Sequence, residues 1–199
     1  MKIKYDQEEI EKALEIINRR GIVTYPTDTD YGIWCNLHSN EIVKKYNVNS
    51  RDSTNPLPVL VYSVEITKRI LLLEKFTEKI IEKFWLEPII IILKLIDEKL
   101  KKSLFLNDKI AIRVPNHKCI LEILKKYNFL VGRNTNISGH PSFTNLEECC
   151  RNIHDYDIFV DVEEIRSKTE STIIEIENKK NRIIQEGSLT RAEVLEVWI

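Results

Sequence analysis

An α/β fold built on a mixed, twisted β-sheet with helices packed around it is what this sequence predicts. Short apolar, strand-like runs alternate with amphipathic helical stretches from one end to the other. The spacing between successive strands varies, which calls for both parallel and antiparallel neighbours. The 199 residues, 43% of them hydrophobic, can bury one sizeable core, and no repeat, low-complexity tract or linker divides them. One domain over residues 1–199 is therefore expected.

In "DQEEIEKALEIINRRG", Ile10, Ala13, Leu14 and Ile17 share one helical face, with Asp6 placed as N-cap and Gly21 as C-terminal stop. "GIVTY" and "YGIWC" are strands on either side of a short polar loop, and "NEIVKKY" starts a short helix near Asn40. "LPVLVYS" (57–63) is the next strand. In the helix "TEKIIEKFW", Ile80, Ile81 and Phe84 point inward. "PIIIILKL" is a strand, "DEKLKKSL" a helix and "KIAIRVP" a strand; the amphipathic helix "HKCILEILKKY" and the strand "NFLVGR" follow. Thr144 and Glu147 have capping-box spacing for a helix through Cys149. "YDIFVD", "STIIEIE" and "NRIIQEG" complete the strands, and Thr190 with Glu193 repeats the capping box for a last helix.

Charge gives no global attraction to nucleic acid: 30 basic side chains oppose 31 acidic ones, for a net charge of -1. "MKIKYDQEEIEKALEIINRR" turns acidic at once and has no apolar centre of a secretory signal. "LEPIIIILKLI" (86–96) is too short to span a bilayer and contains Pro88 and Lys94, so it reads as a buried strand. Cys35, Cys119, Cys149 and Cys150 show no paired spacing. A cytoplasmic protein with reduced thiols and no membrane partner is expected.

Standard nucleotide signatures are missing, since neither a Walker P-loop nor GxGxxG occurs, and Ser138-Gly139 lacks the flanks of a nucleophile elbow. His117, Cys119, Cys149, Cys150 and His154 are the best zinc candidates, but their spacing is irregular and buried cysteines with surface histidines explain them better. The acidic group Asp155, Asp157, Asp161, Glu163 and Glu164 reads as a solvated strand end before it reads as a Mg²⁺ site. No metal ligand is therefore assigned.

The polar loops after strands are more informative, because ligands in open α/β sheets sit there. "PTDTDYG", "NSRDSTNPLP", "RVPNH" and "GRNTNISGHPS" are dense in hydroxyls, amides and arginine. Such groups hold amino acids or nucleotides, and Arg51 and Arg113 can fork onto carboxylate or phosphate. Taken singly, each loop is better explained by turns and caps, where Thr, Asn, Ser and Pro are common anyway.

Their order along the chain carries more. "YPTDTDYG", an arginine about twenty residues on before "PLPVLV", then "FW..P", "IRVPNH", "TNISG.PS" and "STIIEI...RIIQEG" together resemble the YrdC/TsaC family of threonylcarbamoyl-AMP synthases, from about residue 8 to the C-terminus. The resemblance implies a single YrdC-like domain in its short form, a twisted mixed sheet flanked by helices with a deep concave ligand- or RNA-binding face. It implies L-threonine, bicarbonate and ATP as substrates, Mg²⁺ as the companion of ATP, no tightly bound cofactor, and a product used for t6A modification of tRNA. Double-stranded RNA or tRNA is the further partner it implies.

Position by position, the resemblance assigns Thr27, Thr29 and Tyr31 to the threonine side together with Arg113 and Asn116. Arg51 and Asn136 take the catalytic positions. Asn49, Asn55, Pro115, Asn134, Ser138, Ser171, Thr172 and Gln185 fall on the nucleotide side. Several of these depart from the family pattern. Asn49 stands for the lysine of K-x-R, Asn55 for the lysine before the next proline, Asn134 for the serine of S-x-N, Ile90 for a threonine and Gln185 for an arginine. Arg133, Arg182, Lys44 and Lys45 are the nearby cations that could compensate, with Arg182, three residues before Gln185, expected to point differently along the strand. Two readings follow: a working synthase, or a homologue that keeps the fold and binds a nucleotide or duplex RNA without turnover.

Overall fold

The computed structural model describes residues 2–4, 7–43, 56–71, 73, 75–84, 86–106, 108–135, 143, 146–154, 156–161, 165, 169–177 and 180–198. Ten strands form one mixed sheet: β1 Lys2–Lys4, β2 Ile22–Pro26, β3 Tyr31–Cys35, β4 Pro58–Val61, β5 Ile89–Lys94, β6 Lys109–Arg113, β7 Phe129–Asn134, β8 Ile158–Asp161, β9 Thr172–Glu177 and β10 Lys180–Gln185. The described helices are α1 Gln7–Asn18, α2 Val64–Ile70, α3 Lys75–Lys83, α4 Glu98–Leu104, α5 Lys118–Tyr127, α6 Leu146–Asn152 and α7 Arg191–Glu196. The strand order is β1-β8-β2-β3-β7-β4-β6-β5-β9-β10. Parallel pairs (β4 with β6, β5 with β9) sit beside antiparallel ones (β2 with β3, β5 with β6), as the mixed spacing requires.

Side-chain alternation divides the core in two. On one face, Val23, Tyr25, Trp34, Leu60 and Leu130 pack under Ala13 and Ile17 of α1 and Ile120, Ile123 and Leu124 of α5. The opposite face packs Ile33, Val59, Ile91, Ile112 and Val131 against the helices on that side. β5 is buried from Ile89 to Leu93, which explains its unbroken isoleucine run. Where the α1/α5 face continues over β6, β5 and β9, Ile90, Ile92 and Ala111 form a small cluster with Ile173, and no described helix contributes to it. The strip is open only in that no described helix contributes to it; Ile90, Ile92 and Ala111 are themselves buried.

Some elements differ from expectation. β1 and α2 carry little periodic signal; α2 is set instead by Ser63, whose side chain caps Ile66 N at 3.5 Å. At the end of α1 the left-handed residue is Arg20 (φ 65°), not Gly21. Gly21 N donates to Ile16 O and Arg20 N to Ile17 O, a Schellman closure. Gly21 is needed for space, because a Cβ there would lie 2.6 Å from Ile16 Cγ2 and 2.7 Å from Asp157 Oδ2. The capping box at Thr190 and Glu193 forms in full. Asp6 and Thr144 lie outside the described residues, as do residues 44–46 of the helix expected from Asn40; residues 40–43 are helical. No described helix is long and apolar enough to cross a membrane.

Burial pushes the Cys35 thiol from 9.0 up to about 12. The unfolded chain loses that proton first, so the thiol's contribution to stability is complete below pH 9 and is lost between pH 9 and about 12. Urea titrations should show stability falling by about 1.4 kcal/mol per pH unit per such thiol in that window. Cys35→Ala should lower stability at neutral pH and flatten the alkaline slope by that amount. An unchanged slope would contradict the assignment.

Candidate functional site

β2 and β3 pair in register up to Pro26 and Tyr31, leaving Thr27, Asp28, Thr29 and Asp30 as a four-residue hairpin tip. Loops of such composition are usually solvated, yet Thr27, Thr29 and Asp30 are each 1% exposed and Asp28 is 7% exposed. Burial demands that every polar group find a partner. Thr27 N donates to Asp30 O at 2.7 Å, closing the tip. Thr27 Oγ1 accepts from the Thr29 and Asp30 N–H groups at 3.2 and 3.3 Å. Its single hydrogen points toward Asp30, whose carbonyl and Oδ1 lie 3.0 and 3.1 Å away. Thr29 Oγ1 donates to Asp30 Oδ1 at 3.2 Å and accepts from Arg113 Nη1 at 2.8 Å.

Arg113, the last residue of β6, is 6% exposed. Its Nη2 lies 2.7 Å from Asp28 Oδ2, an ion pair by distance whose N–H points off the contact line. The other Asp28 oxygen accepts from Asn116 N at 3.1 Å. Asp28 therefore fastens the loop after β6 to the loop after β2, with Arg113 between them. Arg113 Nε is buried and has no hydrogen-bond partner among the described residues, so one charged donor is left for a ligand.

A third loop joins at Tyr31. Its carbonyl accepts from Thr135 N at 2.9 Å and Thr135 Oγ1 at 2.7 Å, and its N–H donates to Phe143 O at 3.1 Å. Phe143 N in turn donates to Thr135 O at 2.9 Å, so the residues bracketing 136–142 are tied to the hairpin. The Tyr31 ring packs into the core against Phe159, centroids 5.2 Å apart; its part is to anchor the loop, where the sequence placed it on a pocket wall. Gly32 and Gly132 leave room for the Trp34 indole, since a Cβ on Gly32 would lie 2.3 Å from the ring.

At the other end of the open strip, Ser171 Oγ is buried without a hydrogen-bond partner among the described residues. The Thr172 hydroxyl is fully engaged: it donates to Leu189 O at 2.6 Å and accepts from Gly187 N and Leu189 N, both at 3.0 Å. It positions the loop around Ser171 and has no capacity left for a nucleotide. Gln185 Nε2 donates to Glu170 Oε2 at 3.1 Å and to Ser171 O at 3.4 Å.

The compensating arginines are placed elsewhere. Arg182 pairs in register with Glu175, and its Nε donates to that carboxylate. A bulge between Ile183 and Gln185 puts Arg182 and Gln185 on the same face, contrary to simple counting. Lys109 shares Glu175 at 2.6 Å and reaches Glu177 at 2.9 Å. Burial opposes ionisation of Glu175, but hydrogen bonds from Arg182 and Lys109 outweigh it and hold the carboxyl below its ordinary value. Arg133 alternates with Gly132 and Asn134 and so faces away from the open strip. Asn134 lies on the strip's side of the sheet at the end of β7, half-buried; Pro115 is buried and Asn116 exposed.

Asn49, Arg51, Asn55, Asn136, Ser138, Lys44 and Lys45 lie outside the described residues. Among the zinc candidates, Cys119 packs on the α1/α5 face beside Tyr25 while Cys149 packs on the opposite face, so the sheet separates them. Glu170 and Glu175 were not singled out from the sequence, and Asp28 only as one of the polar residues of the "PTDTDYG" loop. A buried arginine demands an anion, and Asp28 in "PTDTD" was the available signal.

The Sua5/YciO/YrdC family model, described as "Telomere recombination", matches residues 15–187. The chain belongs to this family. A Methanocaldococcus jannaschii protein carrying the provisional name threonylcarbamoyl-AMP synthase is 32% identical over 192 residues, covering 92% of this chain and 89% of that protein. The threonylcarbamoyl-AMP synthases of Pyrococcus abyssi and Bacillus subtilis are 24% and 26% identical, over 98% and 94% of this chain. The chain spans only 58% and 55% of those two relatives. The fold matches P. abyssi Sua5 complexed with L-threonine at a TM-score of 0.84, 23% identity, over 99% of this chain and 60% of that one. It matches E. coli YciO at 0.82, 16% identity, over 94% and 95%.

Removing one partner of the buried pair strands the other charge. Asp28→Ala should cost about 3–5 kcal/mol in a denaturant titration. The double variant Asp28→Ala/Arg113→Leu should recover part of that loss, because no buried charge remains unpaired. Additive losses would show that the two residues do not act as a pair.

Proposed function

We propose that this protein binds L-threonine against the hairpin tip and Arg113, and condenses it with bicarbonate and ATP to threonylcarbamoyl-adenylate and pyrophosphate, the step that feeds t6A modification of tRNA. The observation that carries this reading is the buried Arg113, fixed by Thr29 and Asp28 with Nε uncommitted. The names of the relatives at 24–32% identity support it. So does the L-threonine complex of the P. abyssi relative, whose fold this chain shares.

Arg113 Nε would receive the substrate carboxylate, at a geometry already set by the two loops. Thr27 and Thr29 hold the tip in shape, and Thr29 also orients the guanidinium. Asn116 lies exposed at the mouth of the same loop. Arg51 and Asn136 are assigned to the reacting groups by family resemblance alone. Mg²⁺ would arrive with ATP and neutralise phosphate charge. A cytoplasmic location fits a set of free cysteines of which three are buried.

A second reading, nucleotide or duplex-RNA binding without turnover, is favoured by one observation: Arg182 is committed to Glu175 and Arg133 faces the other side. Charge-assisted contacts to phosphate are strong, and losing them slows transition-state stabilisation by orders of magnitude.

Incubation with ATP, L-threonine, bicarbonate and Mg²⁺ should release pyrophosphate only when threonine is present, and Arg113→Leu should reduce that release at least a hundredfold. Threonine-independent release, or none at all, would sink the synthase reading. Duplex-RNA filter binding that weakens steeply with salt would then favour the binding alternative.

A further inference from the structure

We propose that Thr135 is a positioning residue for the nucleotide side of the site: its buried hydroxyl locks the end of β7 to the hairpin tip, so that Asn134 and Asn136 on either side of it are held in register with Arg113. This rests on the reading above that the chain binds ATP beside threonine.

Alternation along β7 sets the roles apart. Asn134 pairs with Gly32 and lies on the strip's side of the sheet, while Thr135, the next residue, turns inward and is 0% exposed. Asn136, assigned to the reacting groups by resemblance, follows directly in the chain. Thr135 N and Oγ1 both donate to one oxygen, the Tyr31 carbonyl, at 2.9 and 2.7 Å. Two donors from one residue on one acceptor restrain the rotation of its side chain and the tilt of its backbone together. Thr135 O accepts from Phe143 N at 2.9 Å, and Phe143 O accepts from Tyr31 N at 3.1 Å. The Cys149 side chain, fully buried in α6, is hydrogen-bonded to the Thr135 side chain as well. Tyr31 is joined through Asp30 to Thr29, whose hydroxyl accepts from Arg113 Nη1 at 2.8 Å. A buried path of covalent and hydrogen bonds therefore runs from Arg113 to Thr135, through residues that are all buried.

Folding alone does not require this hydroxyl. The Tyr31 carbonyl already accepts from the Thr135 N–H, and a valine would have nearly the same shape with no polar atom to bury. Only the Cys149 thiol, a weak donor, would lose a partner. What the hydroxyl adds is direction: a second bond that fixes where the chain leaves β7, and so where residues 134 and 136 stand relative to the hairpin tip. Contacts to a nucleotide are made at set geometry, and small displacements forfeit much of their strength.

Calorimetry of the full chain, titrated separately with ATP in Mg²⁺ and with L-threonine, tests this on three forms: unmodified, Thr135→Val and Thr135→Ser. Thr135→Val should bind ATP about tenfold more weakly and L-threonine within about twofold of the unmodified chain. Thr135→Ser, which keeps the hydroxyl, should restore ATP affinity to within about twofold. In the pyrophosphate assay, Thr135→Val should lower kcat while leaving KM for threonine in place, and the serine variant should recover the rate. Unchanged ATP affinity in Thr135→Val overturns the proposal, as does a serine variant no better than the valine one. A parallel fall in both affinities also overturns it, because a merely structural hydroxyl would weaken the two sides alike. These outcomes leave the synthase reading standing. An unmodified chain that binds no ATP brings down that reading and this proposal together.

Discussion

One buried contact organises this molecule: the Arg113 guanidinium set between Asp28 and Thr29. A charge placed where almost no water reaches is costly unless it is both paired and hydrogen-bonded. That cost dictates the local sequence. Asp28 supplies the counter-charge and also caps the backbone of Asn116. Thr29 supplies the second acceptor, and Thr27 and Asp30 hold Thr29 in place. The alternating threonines and aspartates of the tip supply the partners that let a four-residue turn be buried against an arginine.

Because three loops from three strands converge there, their geometry is not independent. The hairpin tip fixes Arg113, Asp28 fixes the chain after β6, and the Tyr31 backbone fixes the residues flanking 136–142. Function carried by loops depends on such rigid seating. The far end of the strip is held by a different device, the Thr172 hydroxyl with its three contacts to the 187–189 loop.

Much of this was legible in the sequence, and the reasons are physical. The unbroken apolar run of β5 and the strong periodicity of α5 declared themselves, and so did the Thr190–Glu193 capping box. β1 did not, because three residues cannot show a period. α2 did not, because its start depends on Ser63 alone. At the site, residue types and loop order pointed to Thr27, Thr29 and Arg113. They could not show that Thr27 and Thr172 exhaust their hydroxyls internally, or that Tyr31 turns its ring into the core. Hydrogen-bond saturation belongs to three-dimensional geometry, and composition does not record it.

The bulge in β10 is the sharpest case of that limit. Counting along a strand assigns faces by parity, and by parity Arg182 and Gln185 oppose each other. One inserted residue, Ile184, cancels the parity and leaves it exposed while Ile183 keeps its place against the core. Both polar side chains then arrive on one face, each before a carboxylate: Arg182 before Glu175 and Gln185 before Glu170. Arg182 is committed to its partner, and Gln185 spends its amide on Glu170 and the Ser171 carbonyl. Which polar groups share a face therefore follows from one backbone irregularity, and residue types alone do not reveal it.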